Sequence, residues 1–128
     1  MIDDIMKLIT WLDDHKASNN ITQLVKVIDS LNILCVTLGE QVSTAYALMN
    51  ESEDDYKVAF ARSITMSDQP VSRAERIAEA DLYETKKLWT ASKNNYKKLN
   101  MFLERIDRVS DSHRQRISVM KSEIKNVI

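Results

Sequence analysis

Apolar positions in this chain recur at helical spacing. Ile2, Ile5, Met6, Ile9 and Leu12 form one stripe and predict a first helix over about residues 3–16. Asp3 and Asp4 suit the positive end of its dipole, and Lys16 suits the negative end. Asn19 and Asn20 interrupt the pattern, and Asn20 with Gln23 three residues on is an N-cap signal for the next helix.

The segment that follows is the most regular. Ile21, Leu24, Ile28, Leu31, Cys35, Leu38, Val42, Ala45, Met49, Ser52, Tyr56 and Ala59 are separated by gaps that alternate between three and four without a slip. A sustained repeat of about 3.5 residues keeps one stripe facing a partner helix, which is the coiled-coil condition. This predicts a second helix over about 20–63. Gly39 beside the seam costs about 1 kcal/mol relative to alanine. The acidic stretch Glu51, Glu53, Asp54, Asp55 is a second soft spot, so a break, if there is one, is expected near Gly39 or Asn50.

A turn is predicted over 65–71, where Ser67, Asp68 and Pro70 cluster. Ser72-Arg73-Ala74-Glu75 then reads as a capping box opening a third helix over about 72–126. Its clearest stripe is Leu99, Phe102, Ile106, Val109, His113, Ile117, Met120, Ile124 and Val127, with a stutter after His113. Upstream the stripe is broader: Ala74, Ile77, Ala78, Leu82, Leu88, Trp89 and Tyr96. A short turn between long helices makes them antiparallel neighbours and should set Ile21 level with residues around 115. The expected fold is therefore a single all-α domain over 1–128, a short N-terminal helix followed by a long antiparallel helical hairpin of coiled-coil type. Apolar stripes of this length need a partner, so a homo-oligomer is expected.

Composition reinforces this picture. Gly39 and Pro70 are the only glycine and the only proline, too few for the tight reversals of a many-stranded sheet. Cys35 is the only cysteine, so no internal disulfide can form, which fits a reducing compartment. Asp3 and Asp4 stand where a signal peptide would carry basic residues, and no apolar run is expected to approach 18 residues. A cytoplasmic protein without membrane contact is expected.

Charge is divided unevenly. Met1 to Pro70 holds 5 Lys/Arg and 11 Asp/Glu, net −6, whereas Val71 to Ile128 holds 13 and 8, net +5. From Lys86 onward the bias is 11 basic to 4 acidic residues. Such asymmetry points to a polyanion or to an acidic protein surface, including the acidic half of a second copy.

The chain offers no catalytic constellation. With one glycine there is no phosphate-cradling loop. His15 and His113 are isolated from each other, and His113 lies on an apolar stripe where a packed histidine is the ordinary case. Cys35 sits on the heptad seam as a small packed hydrophobe. A non-enzymatic protein with no cofactor and no metal is expected. The basic region is more informative. Lys86, Lys87, Lys93, Lys97, Lys98, Arg105, Arg108, Arg114 and Arg116 can neutralise phosphates, and Tyr83, Trp89 and Tyr96 are interleaved with them. Cations beside aromatic faces are what sequence-tolerant single-strand binding uses. The competing reading makes Trp89 and Tyr96 core residues and the lysines a solvated outer face.

From about Ala61 to Glu123 the pattern is a helix end, a polar turn, then Ser72-Arg73-Ala74-Glu75-Arg76-Ile77-Ala78-Glu79-Ala80-Asp81. Tyr83, Lys86, Lys87 and Tyr96 follow, then Ile106-Asp107-Arg108-Val109 and Arg114-Gln115-Arg116-Ile117-Ser118. This pattern resembles phage recombination mediators of the UvsY type, over about half the chain; the heptad from Ile21 to Ala59 lies outside it. The resemblance implies a small helical protein that oligomerises, binds single-stranded DNA and assists recombinase loading, with a recombinase or single-strand-binding protein as partner. The alternative is a structural or adaptor coiled coil, of phage assembly or scaffold type, that binds no nucleic acid.

Overall fold

In the computed structural model, which describes residues 1–15 and 20–127, there are four helices and no strand among the described residues. They are α1 (Ile2–Asp14), α2 (Ile21–Thr65), α3 (Val71–Asp81) and α4 (Tyr83–Val127). The N-cap expected at Asn20 is in place: its side-chain Oδ1 accepts a hydrogen bond from the Gln23 amide at 3.1 Å. Lys16, expected at the end of α1, lies outside the described residues; α1 closes at His15, whose amide bonds the carbonyls of Trp11 and Leu12.

Two expectations about the third helix give way. The capping box at Ser72 is not used, because helix α3 begins one residue earlier. Pro70, at φ −53° and ψ 149°, takes the cap position, and its carbonyl receives the amides of Arg73 and Ala74 at 3.0 and 2.9 Å. Proline's fixed φ suits that extended cap. The single helix expected over 72–126 is also two, interrupted at Leu82, where φ is −102° and ψ is 18°. No glycine or proline marks the interruption. The covered residues of α3 are Ala74 and Ala78, whereas Leu82, Thr85 and Trp89 face inward next.

The chain forms two compact units, Met1–Glu40 with Met101–Ile128, and Gln41–Asn100. In the first, Ile5, Ile9 and Leu12 of α1 are buried with Leu24, Ile28, Leu31 and Leu38 of α2 and Ile106 and Ile117 of α4. Each such side chain contributes about 1.5–3 kcal/mol on leaving water. Ser110 Oγ donates to Asn32 Oδ1 at 3.4 Å, and the Arg116 guanidinium donates to the His15 carbonyl at 3.4 Å. A crevice of about 300 Å³ is lined by Val25, Ile28 and Asp29 from α2 and by Arg114, Ile117, Ser118 and Lys121 from α4. That register carries Ile21 past residue 117 rather than to the expected level near 115.

In the second unit, Tyr46 meets Tyr96, Ser52 meets Ser92 and Tyr56 meets Trp89. In these three contacts residue numbers rise along α2 as they fall along α4. Every α2 position expected on the seam is buried or half-buried. On α4 the inward positions are Thr85, Trp89, Ser92, Tyr96, Leu99, Leu103, Ile106, Ser110, His113, Ile117 and Met120. Phe102 and Val109, on the expected stripe, are half-buried as well. Ser110, not Val109, occupies the buried place, because its hydroxyl has Asn32 to bond. Ile77, Leu88 and Ile124, expected on the stripe, are exposed.

Helix α2 runs unbroken past both Gly39 and Asn50. A Cβ built at Gly39 would have no neighbour within 4 Å. Gly39→Ala should therefore stabilise the protein by about 1 kcal/mol through helix propensity alone. A thermal melt should show a midpoint raised by roughly 3–6 °C; a lowered midpoint would mean the position needs glycine. One further expectation is corrected. An 18-residue stretch within α2 is long and apolar enough, by length and composition, to cross a membrane. It was not visible as an apolar run because Ser, Thr, Asn and Gly dilute it without adding charge.

Candidate nucleic-acid interface

The basic region begins where α4 leaves its interruption. From Lys86 to Asn100 there are five lysines and no carboxylate. Lys86, Lys87, Lys93, Lys97 and Lys98 all belong to the second unit, and all five are exposed. None is in an ion pair with a carboxylate among the described residues. At roughly 100° per residue, Lys86, Lys93 and Lys97 form one row along the helix, and Lys87 and Lys98 form a second row about 100° away. Tyr83, Thr90 and Asn94 lie between the two rows. An open cleft of about 620 Å³ follows this strip, lined by Glu79, Tyr83, Lys86, Lys87, Thr90, Ala91 and Asn94. Like charges held this close repel one another, so the face gains from a polyanion that neutralises it.

The aromatics divide. Trp89 stacks on Tyr56 at a centroid distance of 5.5 Å and 27°, and Tyr56 in turn meets Phe60 at 5.8 Å. Tyr96 meets Tyr46 at 5.2 Å and 55°. Both rings are half-buried in the α2–α4 contact, so they are core residues first. Lys86 Nζ lies 5.9 Å from the Tyr56 ring centroid, a cation–π distance that ties one lysine to the same cluster. Tyr83 differs: it is 61% exposed and has no ring partner among the described residues.

The four arginines belong to the first unit. Arg105 and Arg108 are exposed and in no ion pair among the described residues. Arg114 lies 3.5 Å from Asp111, which offsets its charge locally. Arg116 is half-buried and donates to the His15 carbonyl. Charge counting put all nine cations on one footing. The structure gathers the five lysines on one face and ties Arg116 to packing around the end of α1. Thr90 and Asn94 were missed as candidates; their spacing from Tyr83, at i+7 and i+11, was the available signal.

Other chemistry is sparse. Burial first, and then the negative charge of Asp107, push the Cys35 thiol above its ordinary range, with Arg114 acting in the opposite direction. A thiol so placed is a poor nucleophile. His15 stacks on Trp11 at 4.0 Å, and its Nδ1 lies 2.7 Å from the Trp11 carbonyl oxygen. His113 is buried on the α4 seam. No group of three His, Cys, Asp or Glu side chains is arranged to hold a metal among the described residues. No protein-family model, curated protein or solved structure matches the chain.

Proposed function

We propose that this protein binds single-stranded DNA through the lysine face of α4 and acts, as an oligomer, as a non-enzymatic accessory of DNA recombination. The observation that carries this is the exposed set Lys86, Lys87, Lys93, Lys97 and Lys98, with no carboxylate among them in the sequence. Phosphates would release counterions from such a face, and sequence would not be read. Assistance to a recombinase, with a recombinase or single-strand-binding protein as partner, follows from the UvsY-type resemblance. That role places the protein in the cytoplasm, the host's if the chain is phage-encoded. Salt-sensitive binding to a labelled oligonucleotide is the test.

The architecture proposed with it is a coiled-coil-like antiparallel pairing of α2 with α4, supported by the heptad spacing of both inward faces. Self-association is supported by the outer surface of α2. From Ser30 to Asn50, Glu40 is the only charged residue, and Ile33 and Val36 are 69% and 66% exposed. Placing lysine at both should leave helicity unchanged and shift sedimentation from oligomer to monomer. A wild-type chain that sediments as a monomer would remove the oligomer from the account.

A second reading, a structural or adaptor protein without nucleic acid, is favoured by the engagement of Trp89 and Tyr96 with α2. It requires the lysine face to meet carboxylates of another copy, such as those at Glu51, Glu53, Asp54 and Asp55. Salt would then dissociate the oligomer, and oligonucleotides would leave its sedimentation unchanged.

A further inference from the structure

The cleft beside Tyr83 has a composition that the phosphate-binding role does not require. A backbone-tracking face needs only cations, yet here an exposed aromatic ring and two polar side chains run between the lysine rows. Tyr83, Thr90 and Asn94 succeed one another along one strip of α4, and Lys86 and Lys87 flank it. Glu79 stands at the α3 end of the same cleft. Of the three aromatics interleaved with the lysines, Tyr83 is the one that the α2 contacts leave with an open ring face.

We propose that this cleft receives one unpaired nucleobase of a bound single strand. Tyr83 stacks on the base. At about 1.5 Å per residue, Thr90 and Asn94 lie roughly 10 and 16 Å beyond Tyr83 along α4, where they offer both donors and acceptors to the nucleotides that follow. Lys86 and Lys87 meet the phosphates on either side. Glu79 repels phosphate, which keeps the backbone on the lysine rows and leaves the base to enter the cleft. Stacking of this kind tolerates any sequence, because every base has a π-face. The proposal rests on the single-strand-DNA reading above and adds a base-binding position to it.

The test uses the full chain and an oligothymidylate carrying one 2-aminopurine, whose fluorescence falls when it stacks. Wild type and Tyr83→Phe should quench the probe equally. Tyr83→Leu should abolish the quenching and weaken binding roughly 5- to 150-fold, the range expected for one lost stacking contact. Its salt dependence should match wild type, because no phosphate contact is removed. Lys93→Glu/Lys97→Glu/Lys98→Glu also weakens binding but, unlike Tyr83→Leu, should flatten the salt dependence. If Tyr83→Leu quenches and binds as wild type does, the base-binding cleft is wrong while the DNA reading stands. If wild type binds no oligonucleotide, both fall together.

Discussion

Lys93→Glu/Lys97→Glu/Lys98→Glu is expected to weaken single-stranded DNA binding by roughly 100-fold or more at 50 mM salt. Each phosphate contact on a single strand contributes about 0.7 to the salt slope, so five lysines give a slope near −3.5. Removing three should leave a slope near −1.4. The three side chains are exposed and take part in no ion pair among the described residues, so the substitutions remove no packing. Melting of the triple variant should therefore stay within a few degrees of wild type. Fluorescence anisotropy with a labelled oligonucleotide measures both affinity and slope. Unchanged affinity in a folded triple variant would dissociate the lysine face from nucleic acid.

Ile106→Ala should cost about 2–5 kcal/mol, the range for emptying a fully buried aliphatic position. Ile106 is 0% exposed and lies in the first unit with Leu24, Ile28 and Leu31, themselves almost fully covered. In a chain of this size the melting midpoint should fall by roughly 10 °C or more. Leu88→Ala is the comparison. Leu88 looked like a core residue by its place on the upstream stripe, but it is 60% exposed. Its truncation should cost less than about 1 kcal/mol. Equal losses at the two positions, read from chemical denaturation, would contradict the inward face assigned to α4.

The α2 seam was legible in the sequence because its residues are almost all apolar and evenly spaced. The α4 seam was only partly legible, because Ser92 and Ser110 occupy buried places and polar residues are passed over when apolar positions are counted. Their hydroxyls are satisfied locally: Ser92 Oγ donates to the Leu88 carbonyl at 2.9 Å and lies 3.4 Å from Ser52 Oγ, and Ser110 reaches Asn32. A satisfied serine packs as a small residue, and hydropathy does not register that. The interruption at Leu82 carries no breaker residue, so no local signal announced it. The lysine face was legible from composition. The division of its aromatics was partly legible too: Trp89 and Tyr96 are seven residues apart and share a face, whereas Tyr83, six residues before Trp89, falls about 120° away.

The central claim is that the lysine face of α4 holds single-stranded DNA. A labelled oligothymidylate titrated with the wild-type protein at 50 mM and 200 mM salt tests it most directly. Five phosphate contacts predict saturable binding at the lower salt that weakens about 100-fold at the higher. Absence of binding at 50 mM salt, or an affinity that salt does not change, would contradict it.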